Sequence, residues 1–172
     1  MKREAAGSSR VFRMLTVCGL GHRRPASGTW GSLPAMVLGA ALLYPHFEWG
    51  WPVWLYHVGM ALWVIVFTLV CVMYGDHAEA RYGKDPSEVV ADEAAGQGLT
   101  LLLLPLAALQ NTTAGLFLFV LSFFAFRAMD IVKPWPAGRA QHIIGGWGIV
   151  LDDLAAALWA AALIWFVVAV AS

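Results

Sequence analysis

The feature that most constrains this fold is a run of 23 residues without a formal charge, Val53–Gly75. A helix of that length is about 34 Å long, and the hydrocarbon core of a bilayer is roughly 30 Å thick. A second uncharged segment, Leu154–Ala171, makes another spanning helix together with the residues just before it. Leu33–Tyr44 is apolar but shorter, and we expect it to extend at both ends. The sequence therefore predicts an all-α integral membrane protein.

Composition supports lipid as the solvent. The chain is 60% hydrophobic and 13% charged, whereas soluble domains carry roughly 25% charged residues. A fold of this size leaves much of its surface exposed, so it could not hide that much apolar area from water. The 11 basic and 11 acidic residues balance, and no nucleic-acid partner is indicated. We predict one membrane-embedded domain over residues 1–172, in which residues 1–13 form a polar N-terminal tail.

The uncharged segment Leu99–Phe126 is too long for one simple crossing. It has 28 residues, and a straight helix of that length would measure about 42 Å. Residues 110–113 are polar, and they are preceded by Pro105 and followed by Gly115, which are turn and breaker signals. This pattern predicts a hairpin of two short helices, over about residues 99–109 and 113–130, and about five hydrophobic helices in all.

The basic residues predict the orientation. Lys and Arg favour the cytoplasmic side in short loops. With the N-terminus inside and five helices threaded, all 11 Lys and Arg fall on the cytoplasmic side, in residues 1–30, 76–98 and 127–147. Three tryptophans lie around the predicted outer turn, at residues 49–54, as interfacial aromatic side chains do. We therefore expect a multi-pass protein with a cytoplasmic N-terminus.

Acidic residues are concentrated on the same face. Asp152 and Asp153 stand inside the apolar pattern of the last helix, where ionisable groups are costly and indicate function. Adjacent carboxylates repel each other unless a cation joins them, and oxygen ligands suit Mg²⁺. The alternative is that this pair caps a helix N-terminus. The pair Asp92 and Glu93 presents the same choice. Asp76 is a further candidate ligand, with a simple interfacial charge as its alternative.

The most informative stretch is residues 126–136, which places Arg127, Asp130 and Lys133 at a helix end that Pro134 terminates. Arginine binds a phosphate bidentately, and lysine supplies a point charge. The alternative is a juxtamembrane basic cluster that touches anionic lipid. The embedded Asp130 favours a catalytic site at the cytoplasmic face.

A glycine-rich segment, residues 19–32, precedes the first apolar helix. Backbone N–H groups at such a turn can hold an anion. Thr29 and Ser32 are therefore candidate substrate-binding residues. A tight turn before a helix, without a ligand, is the alternative.

Four ordered blocks of this sequence resemble the phosphatidylglycerophosphatase A family. They are Gly19–Leu33, Asp85–Gly96, Phe126–Pro136 and Gly145–Ala155. The resemblance implies a bacterial inner-membrane enzyme that hydrolyses phosphatidylglycerophosphate in the bilayer to phosphatidylglycerol, with Mg²⁺ as cofactor. Carried over by position, it implies that the catalytic residues are Asp92, Glu93, Arg127, Asp130, Lys133, Asp152 and Asp153.

Within that implied set, the five carboxylates are the expected magnesium ligands, and Arg127 and Lys133 are expected to bind the substrate phosphate. The sequence departs from the family pattern at Ser27, Val150 and Ala156, where the family usually has Pro, Met and Gly. None of these departures removes a charged group.

Two other functions remain alternatives at this point. One is a different membrane enzyme that acts on lipid phosphates, because residues 75–81 partly resemble the start of the CDP-alcohol phosphotransferase motif, although its later spaced aspartates are missing. The other is a small ion transporter that uses buried carboxylates. A transporter needs polar groups along a path through the membrane, whereas the charges here cluster on one face.

Overall fold

The computed structural model describes residues 10–84, 86–107, 112–140 and 143–171. These residues contain helices, turns and irregular segments but no β-strand, so the all-α prediction is confirmed. Residues 10–15 are helical, and a short 3₁₀ helix follows at Leu20–His22. The helices after it are α1 (Ser27–Trp49), α2 (Trp54–Tyr82), α3 (Ala91–Leu102), α4 (Thr112–Val132), α5 (Ala137–Ala140) and α6 (Gly146–Ala171).

Three helices of the described chain are long and apolar enough to cross a membrane: α2, α6 and residues Gly115–Val132 of α4. Each exposes large apolar side chains on its outer surface, such as Leu62, Phe124 and Phe166. Water solvates such side chains poorly, whereas lipid solvates them well. The prediction of an integral membrane protein is confirmed.

Helix α1 extends the predicted segment Leu33–Tyr44 at both ends, as expected, to Ser27–Trp49. At about 35 Å it is long enough to span a bilayer, but it is not one of the three candidate spans. Its first turns carry Ser27, Thr29 and Ser32, and His46 and Glu48 lie near its other end.

The segment around residues 99–126 does not form one helix, in agreement with the predicted hairpin, but the first arm lies elsewhere. That arm was expected over about residues 99–109, and α3 instead covers Ala91–Leu102. Asp92 and Glu93 in its first turn favour an earlier start, because carboxylates stabilise a helix N-terminus. Pro105 disfavours helix in the residue before it. Residues 108–111, which include part of the predicted turn, lie outside the described chain.

Helix α3 lies inside the bundle, packed against α1, α2 and α6. Nine of its 12 residues are buried, so protein rather than lipid surrounds it. A Cβ on Gly96 would lie 2.5 Å from the Phe126 ring and 3.0 Å from the Asp153 carbonyl oxygen. Only glycine allows α3 to approach α4 and α6 this closely. The approach brings the start of α3, the end of α4 and the first turns of α6 to one end of the bundle.

Candidate active site

A cavity of about 270 Å³ occupies that end of the bundle, between α1, α3, α4 and α6. The loop before α3 also contributes to its lining, through Pro86, Ser87 and Val89. The structure brings every residue predicted as catalytic to this one cavity: Asp92, Glu93, Arg127, Asp130, Lys133, Asp152 and Asp153.

Three of the carboxylates form a tight cluster. One oxygen each from Asp92, Glu93 and Asp153 lies within 4.8 Å of the other two. Asp92 and Asp153 are only 7% and 3% exposed. Asp92 Oδ1, Glu93 Oε2 and Asp153 Oδ2 are buried and have no hydrogen-bond partner within the described chain. Buried carboxylate oxygens without donors are unfavourable, and Mg²⁺ prefers such oxygens as ligands. The cluster therefore fits a magnesium ion.

Burial and neighbouring carboxylates make negative charge unfavourable in the first turn of α3. Burial raises the pKa of Asp92, and the charge of the neighbouring Glu93 raises it further. Burial also raises the pKa of Glu93, to about 8. A protein group that must carry charge in such a place needs a nearby cation. A divalent cation at the cluster would favour the ionised form of both groups.

Arg127 and Lys133 bring positive charge to the same cavity. Arg127 Nη1 and Asp130 Oδ2 form an ion pair of 2.7 Å, one turn apart on α4. Lys133 Nζ donates to Asp152 Oδ2 and forms an ion pair with it. Burial alone would lower the pKa of Lys133, but the contact with Asp152 and the nearby carboxylates raise it above its ordinary value. Lys133 therefore stays protonated.

Lys133 also ends α4. Its backbone is left-handed, with φ of 48°, and its N–H donates to the Met129 carbonyl at 2.8 Å. A left-handed residue at this place commonly terminates a helix, and glycine usually fills it. Pro134 follows and prevents further helix. The residue that stops α4 is thus also a residue of the site.

The structure places the predicted substrate-binding residues of α1 differently. Thr29 does not line the cavity, and the Ser32 hydroxyl donates to the Gly28 carbonyl at 3.0 Å within its own helix. Ser27 and Gly28 line the cavity instead. The glycine-rich segment does reach the cavity, but the residues of α1 that line it are the first two of the helix.

Asp76 lies away from the cavity lining, and its position favours a capping role over metal binding. Its Oδ1 accepts a hydrogen bond from Gly146 N at 3.0 Å, and Glu79 Oε2 accepts one from Gly145 N at 3.2 Å. Both carboxylates therefore stabilise the start of α6. The alternative that Asp152 and Asp153 cap this helix is wrong, because α6 begins at Gly146 and both residues lie within it.

The segment before α1 contacts the loop before α3, which lines the cavity. Arg24 Nη2 lies 3.1 Å from Ser87 Oγ and 3.4 Å from Glu88 Oε1. His22, Arg23 and Arg24 are all exposed beside it. The contact thus joins the segment before α1 to one wall of the cavity.

Comparison with known proteins yields one family and several relatives. The family described as phosphatidylglycerophosphatase A matches residues 13–168. A Haemophilus influenzae protein named phosphatidylglycerophosphatase A is 32% identical over 148 residues, which cover 83% of this chain and 78% of the relative. The Escherichia coli protein of the same name is 29% identical over 141 residues, covering 81% and 73%.

A third relative carries a different name. A Bacteroides thetaiotaomicron protein is 31% identical over 148 residues, covering 85% of this chain and 86% of the relative, and its name proposes a phosphatidylinositol-3-phosphatase. No solved structure matches this chain.

Proposed function

This chain belongs to the phosphatidylglycerophosphatase A family and is a phosphatase, and on that premise we propose that it hydrolyses the terminal phosphate of phosphatidylglycerophosphate in a Mg²⁺-dependent reaction. The observation that carries the proposal is the cluster of Asp92, Glu93 and Asp153, whose buried oxygens have no donors among the described residues, beside Arg127 and Lys133. Metal-assisted phosphate hydrolysis requires carboxylates that bind the metal ion and positively charged side chains that bind the phosphate.

The carboxylates divide into two groups by their contacts. Asp92, Glu93 and Asp153 would hold the magnesium ion, because their free oxygens lie close together. Asp130 and Asp152 are engaged with Arg127 and Lys133 and lie beside that cluster. When bound, Mg²⁺ supplies Lewis-acid stabilisation of phosphate charge and lowers the pKa of coordinated water.

Arg127 and Lys133 would bind the oxygens of the phosphate that leaves the lipid. Phosphoryl transfer depends mainly on positioning and on stabilisation of charge on these oxygens. The ion pair with Asp130 already holds the Arg127 guanidinium in one orientation. Phosphate binding therefore removes little further side-chain freedom. In the reaction the bond between phosphorus and the glycerol oxygen breaks, and the glycerol oxygen takes up a proton.

Two nucleophiles can complete this reaction. Water can attack the phosphorus directly, or a carboxylate can attack first and form an aspartyl phosphate that water then hydrolyses. Acid quenching of the enzyme during turnover with ³²P-labelled substrate distinguishes them. Label that stays on the protein supports the covalent route, and its absence supports direct attack.

The substrate test is phosphate release by purified protein in mixed micelles, with and without Mg²⁺. We expect release from phosphatidylglycerophosphate that stops when EDTA removes divalent ions and resumes when Mg²⁺ is restored. Phosphatidylinositol 3-phosphate is the necessary second substrate, because one relative is named for it. Hydrolysis of that lipid alone would replace the proposed substrate, and EDTA-resistant hydrolysis would exclude the metal.

We also propose that the cavity opens on the cytoplasmic side of the bacterial inner membrane, the side on which the N-terminus lies. All basic residues fall on that side in the predicted topology. Cys18 is exposed and Cys71 is buried, so a membrane-impermeant maleimide should label Cys18 in inverted vesicles and not in right-side-out spheroplasts. Lys84→Cys and Arg139→Cys, made in a Cys18→Ser background, should follow the same pattern. Labelling of the two on opposite sides would contradict the hairpin.

A further inference from the structure

The N-terminus of α1 forms one wall of the cavity. The helix begins at Ser27 after Ala26, whose backbone is left-handed (φ 60°) and whose side chain provides no cap. The first N–H groups of a helix have no acceptor within that helix. The Thr29 amide donates to the Ala26 carbonyl at 3.0 Å, but in the part of the chain that the structure describes the amides of Ser27 and Gly28 have no protein partner.

The Ser27 side chain gives a second, independent indication of a ligand. It lines the cavity and is only 8% exposed, and its hydroxyl makes no hydrogen bond with any other described residue. Ser32, one turn later, satisfies its own hydroxyl through the Gly28 carbonyl. Ser27 therefore has a free donor at the cavity, and Ser32 has none.

Gly28 places this helix end against Arg127 and Glu93. A Cβ at this position would lie 2.7 Å from Arg127 Nη2 and 2.8 Å from Nη1, and it would overlap Glu93. The helix end carries partial positive charge, so the free donors of α1 and the guanidinium share one region of the cavity. That combination selects an anion with several oxygens.

We propose that Ser27 is a substrate-positioning residue whose hydroxyl, together with the amides of Ser27 and Gly28, donates hydrogen bonds to the non-bridging oxygens of the phosphate group. This inference rests on the proposed function and adds neutral donors to the charged residues that bind the phosphate. The hydroxyl keeps its proton and forms no bond to phosphorus. Because the same donors contact the phosphate before and during the reaction, they contribute to binding more than to turnover.

The test uses Ser27→Ala, which removes the hydroxyl and keeps the amide, and Ser27→Thr, which keeps both. The affinity of the purified protein for inorganic phosphate is measured by calorimetry in detergent with Mg²⁺ present. Kinetic constants for phosphatidylglycerophosphate are measured in the same micelles. For Ser27→Ala we expect roughly tenfold weaker phosphate binding and a KM raised by about the same factor, with kcat within about twofold of wild type. Ser27→Thr should recover most of the affinity.

Thr68→Val is the control, because it removes a hydroxyl that lacks a described partner and lies on α2, outside the cavity lining. It should change neither the phosphate affinity nor the KM. The proposal is overturned if Ser27→Ala binds phosphate as tightly as wild type, if the wild type binds no phosphate, or if Ser27→Ala acts only by lowering the thermal midpoint.

The two proposals can fail separately. If wild type hydrolyses phosphatidylglycerophosphate and Ser27→Ala has unchanged constants, the proposed function stands and the role of Ser27 falls. If wild type binds inorganic phosphate through Ser27 but hydrolyses only another lipid phosphate, the anion site stands and the proposed substrate falls.

Discussion

Two groups of carboxylates lie at the same end of this bundle, and they differ in what faces them. Asp92, Glu93 and Asp153 present buried oxygens without donors in the described chain. Asp76 and Glu79 instead accept hydrogen bonds from the first amides of α6. In the sequence both groups consist of acidic residues beside apolar helices.

A ligand-binding carboxylate is therefore distinguished from a structural one by whether it has a hydrogen-bond donor. Its burial and its position near a helix end do not distinguish the two. A carboxylate that already accepts backbone hydrogen bonds has its charge stabilised by the fold. One without such donors destabilises the fold until a cation or a proton arrives. Substitutions in the two groups should therefore have different effects. Those in the cavity should reduce activity, and those at Asp76 and Glu79 should reduce stability.

The largest effect is expected from Asp92→Asn combined with Asp153→Asn. If a metal ligand contributes on the order of 4 kcal/mol in the transition state, turnover falls about a thousandfold. The thermal midpoint should be unchanged or higher, because two buried charges are removed. Phosphate release and a thermal melt of the detergent-solubilised protein measure the two quantities. Near-normal turnover would refute the metal assignment, and a large drop in midpoint would place these residues with the structural group.

A smaller loss is expected from Arg127→Lys, which keeps the charge but cannot reproduce two parallel hydrogen bonds. Losing a hydrogen bond to a charged group costs about 1.5–3 kcal/mol, which predicts a roughly 10- to 150-fold fall in kcat. Assays across salt concentrations are the measurement, with Arg127→Gln as the more severe variant. A residue that only attracts anionic lipid would tolerate lysine, and its effect would fade with salt. Wild-type turnover of Arg127→Lys at every salt level would remove Arg127 from the site.

Asp76→Ala tests the other group. It removes a carboxylate that caps α6, which typically costs about 1 kcal/mol, and for a protein of this size the midpoint falls by roughly 2–4 °C. Turnover measured well below the midpoint should stay within a few-fold of wild type, because Asp76 does not line the cavity. Loss of turnover as complete as that of the cavity double variant, with an unchanged midpoint, would assign Asp76 to the metal site.

Glu48→Gln should have the smallest effect. Glu48 is exposed near the end of α1 and lines a separate, mainly apolar pocket between α1 and α4. It belongs to neither carboxylate group, so turnover and thermal midpoint should both match wild type. A clear change in either would mean that the two groups do not account for the important acidic residues.

The cavity carboxylates could be predicted from sequence because charge is costly inside an apolar segment. Asp152 and Asp153 stand out in an otherwise uncharged helix, and Asp130 lies between Arg127 and Lys133. Local composition thus indicates these three carboxylates. For Asp92 and Glu93 it leaves the choice between a ligand and a helix start open, and only the family resemblance implies a site role. The magnesium ion they are proposed to bind stays a prediction that the experiments above test.

The parts that sequence did not predict depend on where helices begin. Ser27 and Gly28, rather than Thr29 and Ser32, face the cavity because α1 starts immediately after the left-handed Ala26. The capping role of Asp76 depends on Gly146 being the first residue of α6. That contact joins residues 70 positions apart in the sequence, so no local pattern around Gly146 encodes it.

The backbone of Lys133 carries a consequence for how this enzyme can be improved. Left-handed conformations cost a residue with a side chain roughly 1–2 kcal/mol, and glycine avoids that cost. Lys133→Gly would therefore relieve the backbone at the end of α4 while deleting the partner of Asp152. Asp152 is buried, and leaving a buried charge without its partner costs about 3–5 kcal/mol, which exceeds what the backbone gains. Selection for heat resistance should therefore retain the lysine, because it serves the fold as well as the site.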